Sequence, residues 1–241
     1  MNKTISLLLL IISVSLYSQQ DIPVSFKNLT ELKLDGFNVF FQSETSSIIR
    51  KNRNKLPKDH VLYIDDNLDK DDIVAIKVKL NSKTDSIFYL VCSYGPSYDP
   101  EFQFYSITEG KLVGSVPGTK IFIPGNSNLY LSGHNNSEFN MRRKYKFEGG
   151  KFIWVKQPFY YVGLETKTIN PIKIYLNQNL TQEIAALPAN YDIEILIADY
   201  STIPYEVRYL VKTPFGLVGW TKILAGQYKS IDVEGIFYNG D

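Results

Sequence analysis

Lys144-Tyr145-Lys146-Phe147-Glu148-Gly149-Gly150-Lys151-Phe152-Ile153-Trp154-Val155 decides the fold class. Lys144 and Lys146 share one face of an extended chain, while Tyr145 and Phe147 share the other. Gly149-Gly150 is a tight-turn signal, and a second β-rich run returns from it. The segment therefore reads as an antiparallel hairpin with a solvated basic face. Arg142-Arg143 extends the basic run toward the N-terminus, and a polyanion contact is the sharper alternative for it.

The same pattern spreads outward. Phe37 to Gln42, Val61 to Ile64, Ile73 to Leu80 and Ser86 to Ser93 read as strands bounded by Asp, Asn, Ser and Gly. Ala75-Ile76-Lys77-Val78-Lys79-Leu80 alternates cleanly, with one buried and one wet face. Glu101 to Ile107 sets Phe102, Phe104 and Ser106 on one face and turns at Glu109-Gly110 into Lys111 to Val116. Ile121 to Ile123 and Leu129 to Leu131 stop at Pro124-Gly125 and Gly133. Ser43 to Asp59 is polar and basic, and reads as a short helix or loop. Turns every 8–12 residues are the mark of a sandwich, barrel or meander. The expected fold is all-β: an antiparallel sheet or meander over residues 19–165, a boundary at residues 166–171, a small module at 168–225 and a C-terminal tail at 226–241.

Composition narrows the function. A hydrophobic fraction of 44% supports a packed core. Lys plus Arg number 26 and Asp plus Glu 25. That balance disfavours nucleic acid and anionic lipid as main partners, since both reward a basic excess. Residues 1–18 read as a cleavable signal peptide: Lys3 is the basic start, Ile5 to Leu16 the apolar stretch, and Ser18 the small residue at the cleavage site. The stretch falls short of the roughly 20 apolar residues a membrane span needs. Export to the periplasm or the extracellular space is the expectation, with no membrane span in the mature chain.

No residue set points to catalysis, a metal or a cofactor. The single cysteine, Cys92, follows an apolar strand and reads as an inert core thiol rather than a nucleophile. His134 sits in a Gly-His-Asn-Asn turn and reads as an exposed loop residue; the other histidine is His60. Asp65 to Asp72 is acidic, but Lys70 stands where a calcium loop needs Gly and Ile76 where it needs Glu. Gly114 to Lys120 has the wrong spacing for a phosphate loop and is followed by a β run.

The C-terminal module resembles a known family. Ile172-Lys173-Ile174-Tyr175, then Ile184-Ala185-Ala186-Leu187 with the turn Pro188-Ala189-Asn190, then Tyr191 to Ile197, Tyr209-Leu210-Val211-Lys212-Thr213, Pro214-Phe215-Gly216 and Val218-Gly219-Trp220-Thr221 follow the order of a bacterial SH3 (SH3b) domain. Gly219-Trp220 is the most specific element. Tyr175 stands where the family has Arg, and the Gly-Pro that usually follows is missing. The resemblance covers about a quarter of the chain and implies a five-stranded SH3-like barrel. Leu187, Ile193, Ile195, Leu210, Val218 and much of Trp220 are its expected core. The aromatic residues Phe159-Tyr160-Tyr161, Tyr205, Tyr209 and Trp220 cluster in and near it. Tyr175, Tyr205 and Trp220 are the candidate ligand-binding residues.

Together the signal and the module imply a non-enzymatic exported binding or adaptor protein. Its expected partner is peptidoglycan, through a cell-wall peptide or glycan, or an envelope protein. An envelope hydrolase using Cys92 or carboxylates of residues 21–165, and a structural partner subunit, are the alternatives.

Overall fold

The computed structural model describes residues 26–63, 72–95, 97–201, 207–224 and 226–240. The expected signal, most of the Asp65 to Asp72 run and Tyr205 lie outside them. The described residues are all-β and contain no α-helix. None of their helices is long and apolar enough to cross a membrane.

The N-terminal part is two sheets packed face to face. The first runs β1 (Thr30–Leu34), β2 (Phe37–Phe41), β8 (Lys120–Ile123), β9 (Asn128–Gly133), β10 (Met141–Glu148) and β11 (Lys151–Val155). It is antiparallel except where β2 meets β8. The second is a meander of β3 (Ser47–Asn52), β4 (Asp72–Val78), β5 (Phe88–Tyr94), β6 (Pro100–Ser106) and β7 (Lys111–Pro117). Their shared core joins Val39, Phe41, Ile121 and Leu129 of one sheet to Ile76, Leu90, Phe102 and Phe104 of the other. Alternation dictates this: Phe102, Phe104 and Ser106 all turn inward from β6. The hairpin of β10 and β11 turns on Gly149 and Gly150, both at positive φ.

Two N-terminal expectations change. Ser47–Asn52, expected as helix or loop, is an edge strand paired along β4 from Ser47↔Lys77 to Asn52↔Asp72. Its burial is slight because one edge and most of its side chains face water. Val61 to Leu62, expected to open a strand, form a turn. Leu62 nonetheless fills a small core on the far face of the second sheet, with Ile73, Ala75, Val91 and Tyr105.

The C-terminal sheet runs β12 (Phe159–Lys167), β15 (Asp192–Asp199), β16 (Arg208–Lys212), β17 (Val218–Lys222), β13 (Ile172–Tyr175) and β14 (Glu183–Leu187). The five short strands expected between 172 and 224 are thus present. β12, which precedes the expected boundary, adds a sixth along the edge of β15. Ile172, Ile174, Leu187, Ile193 and Ile195 form the core, as the alternation expects for Leu187, Ile193 and Ile195.

Residues 226–240 bear directly on this core. Val233 and Ile236 are buried in it, and Val233 bridges Thr168. Further on, Phe237 N donates to Glu138 O (3.0 Å) and Asn239 N to Ser137 O (3.1 Å). The segment expected as a tail therefore clasps the β9–β10 loop against the C-terminal sheet. Phe139 and Met141, beside that loop, join the C-terminal core.

Candidate functional site

One row of side chains crosses five strands of the C-terminal sheet. Tyr161 stands across from Ile197, Ile197 from Leu210, Leu210 from Trp220, and Trp220 from Tyr175. Directly paired residues project to the same face. The neighbouring row, Tyr160, Ala198, Tyr209 and Thr221, is paired in the same order and is fully buried. The Tyr161 to Tyr175 row must then lie on the outer face.

This reverses part of the expected core. Leu210 and Trp220 are half-buried on the outside, and Val218 is 42% exposed. Tyr209 and Val211 take the inner positions. Opposite Val211 the inner position of β17 is Gly219. A Cβ there would lie 2.9 Å from Tyr175 O and 3.0 Å from Ile184 Cδ1. Close approach of β13 to β17 therefore requires glycine, and the indole beside it is left facing outward. Of the candidate ligand residues, Tyr175 and Trp220 are brought together; Tyr205 lies outside the described residues.

Sequence reasoning missed how the flanking aromatics divide. Tyr160 is inside, whereas Phe159 is 40% and Tyr161 47% exposed. The Phe159 and Trp220 rings lie 6.3 Å apart at 43°. Two strands separate β12 from β17, so these rings reach toward each other across the outer side of β15 and β16. Tyr161 is positioned by a bulge after it in β12. Gly163 at φ +63° leaves room for its ring, which a Cβ there would strike. The Arg142 guanidinium caps that ring at 4.4 Å, a contact worth about 0.5–1 kcal/mol at an exposed site.

Charged residues flank the row on both sides. On one side Phe159, Asp199, Arg208 and Lys222 are paired in order. Asp199 is fully buried although the register places it in this row, and its Oδ1 accepts from Ser201 N (2.7 Å) and Oγ (2.5 Å). Arg208 Nη1 donates to Gln178 O (2.6 Å), in the loop that follows β13. On the other side Glu165, Glu194, Lys212 and Val218 are paired. Lys212 and Glu194 form an ion pair at 3.0 Å, and Lys167 and Asp192 at 3.6 Å. Past this row opens a groove of about 680 Å³, whose walls include Glu165, Asp192, Glu194 and Glu234.

The remaining candidates are elsewhere. Cys92 is partly buried against the N-terminal core, and burial pushes its thiol up to about 12. A nucleophile needs the opposite shift. His134 is half-buried rather than exposed: its Nε2 donates to Phe237 O at 2.9 Å, and its ring packs on Phe237. His60 Nδ1 accepts from Leu62 N at 3.1 Å. Gly114 lies within β7. Among the described residues no three His, Cys, Asp or Glu side chains are grouped to hold a metal.

The basic run of β10 is only partly solvated. Arg142 is exposed, but Arg143 is buried, with Nη2 donating to Asn135 O at 2.7 Å. It belongs to a polar junction between the two parts of the molecule. There Glu138 Oε2 accepts from Tyr200 (2.9 Å) and Tyr209 (3.3 Å).

No family model, curated protein or solved structure matches the chain.

Proposed function

We propose that the protein is exported and acts as a non-enzymatic binding protein, its C-terminal SH3b-like module recognising a cell-wall peptide or glycan. The observation that carries this reading is the outer aromatic row. Tyr161, Trp220 and Tyr175, with Phe159 beside them, make an apolar surface whose Tyr161 end is capped by Arg142 of β10. Aromatic rings that combine a flat apolar face with a polar tip suit sugars and peptides alike. Contiguous apolar surface of this kind marks interaction sites more often than chance.

The SH3b part of the reading is supported by strand order. β15, β16 and β17 form a meander, and β13 returns to the free edge of β17. Export is supported by the signal-like residues 1–18. The test is a pull-down from isolated cell envelope with the purified protein, beside N-terminal mass spectrometry of secreted material. The reading expects enrichment of cell-wall material and processing close to Ser18. Intact Met1 in exported protein, or recovery of no envelope component, contradicts it.

A further inference from the structure

Asn239-Gly240 is the one Asn-Gly pair in the chain, and it lies at the far end of the clasp. Asn239 is exposed, yet it is bonded twice to the β9–β10 loop. Its backbone N donates to Ser137 O (3.1 Å), and its side-chain Nδ2 donates to His134 O. Beside it Phe237 N donates to Glu138 O (3.0 Å), His134 Nε2 to Phe237 O (2.9 Å) and the Tyr238 hydroxyl to Asn136 Oδ1 (3.1 Å). The loop is tied in turn to the meander sheet, through Asn135 Nδ2 to Pro100 O (3.0 Å) and Asn136 Nδ2 to Asp99 Oδ2 (3.3 Å). Val233 and Ile236 anchor the near end of the clasp in the core. Its far end rests on exposed hydrogen bonds, and segments of that kind open locally at low cost.

We propose that Asn239 is a deamidation site and that its conversion releases the far end of the clasp. The Gly240 backbone N gives its proton to water and attacks Asn239 Cγ. A bond forms between that nitrogen and Cγ, the bond from Cγ to Nδ2 breaks, and the amide takes up a proton and leaves as ammonia. One water then opens the cyclic imide at either carbonyl, giving aspartate or isoaspartate at position 239. Glycine makes this position the most reactive in the chain, because no side chain crowds the attacking nitrogen. Either product loses the donor to His134 O and sets a carboxylate against a carbonyl oxygen, where no hydrogen bond forms. Isoaspartate also lengthens the chain before Gly240, which packs so closely on Asn136 that a Cβ there would strike its Oδ1. While the clasp is closed, the bond from Nδ2 to His134 O holds the amide, so conversion proceeds through the opened form.

The test incubates the full chain at mildly alkaline pH and follows each asparagine by peptide mass spectrometry, where conversion adds about 1 Da. Hydrogen exchange at the Phe237 amide reports the clasp. Asn239 is expected to convert before any other asparagine, and faster in urea than in the folded chain. The aged parent and Asn239→Asp should both exchange the Phe237 amide severalfold faster than fresh parent, while Asn239→Gln resists conversion. Another asparagine converting first, or equal rates in urea and buffer, overturns the site. Unchanged exchange in both the aged parent and Asn239→Asp overturns the release.

Discussion

Tyr175 and Trp220 stand directly across from each other where β13 meets β17. The pair joins the strand that opens the C-terminal module to the one that closes it. It exists because Gly219 presents no side chain to the Tyr175 carbonyl on the inner side. Structure and surface thus divide between adjacent residues: Gly219 holds the strands together and Trp220 faces outward.

Gly219→Ala should therefore cost about 1–3 kcal/mol, the usual range for overpacking a filled interior. Trp220→Ala removes a half-buried ring and should cost about 1–2 kcal/mol, near half the value for a fully buried aromatic. Thermal or urea denaturation of the two variants measures both. A Trp220→Ala loss larger than that of Gly219→Ala would mean that the indole belongs to the core.

Alkaline pH should unfold the protein cooperatively. Burial raises the Tyr209 and Tyr200 hydroxyls above their ordinary value, and the Glu138 carboxylate raises them further. Burial, with Glu101, pushes Tyr105 up to about 12. In each case the folded state holds its proton more tightly than the unfolded state, which releases it near 10. The stabilisation is complete below pH 10 and is lost as pH rises from there through the folded values. Urea midpoints between pH 8 and about 11.5 should be flat at first and then fall. Phenolate absorbance equal to that of the urea-unfolded chain, reached by about pH 11 with no loss of structure, would contradict this.

The sequence made most strands legible because both faces of a strand leave a period of two. Between 172 and 224 the five strands lie within two residues of the runs read as strands. Alternation did not say which face is inner when both are apolar. Leu210 and Val218 are as hydrophobic as Tyr209 and Val211, and only the register that pairs Val211 with Gly219 decides between them. Ser47–Asn52 was hidden because an exposed edge strand owes its form to pairing with β4 rather than to its own pattern. Burial of Arg143 was hidden too: its partner, the Asn135 carbonyl, is backbone brought close by the fold. Residues 226–240 looked irregular because no regular strand places their two core residues: Val233 is held by an isolated bridge to Thr168, and Ile236 by its carbonyl, which accepts from Ser230 N at 2.8 Å.

Cys92 should be unreactive in the folded protein. With its thiol raised to about 12, almost no thiolate exists at neutral pH. A thiol reagent at pH 8 should label it slowly in buffer and quickly in urea. Fast labelling of the native protein would place the side chain in contact with solvent and reopen the question of chemistry at this site.

Co-sedimentation with purified cell-wall sacculi tests the central claim most directly. The parent protein, Trp220→Ala, Tyr175→Ala and the remote Tyr98→Ala, whose side chain is 85% exposed, are compared after each is shown to be folded. The aromatic face predicts that the parent and Tyr98→Ala pellet with the sacculi, while Trp220→Ala and Tyr175→Ala stay in solution. Equal pelleting of all four, or of none, would contradict it.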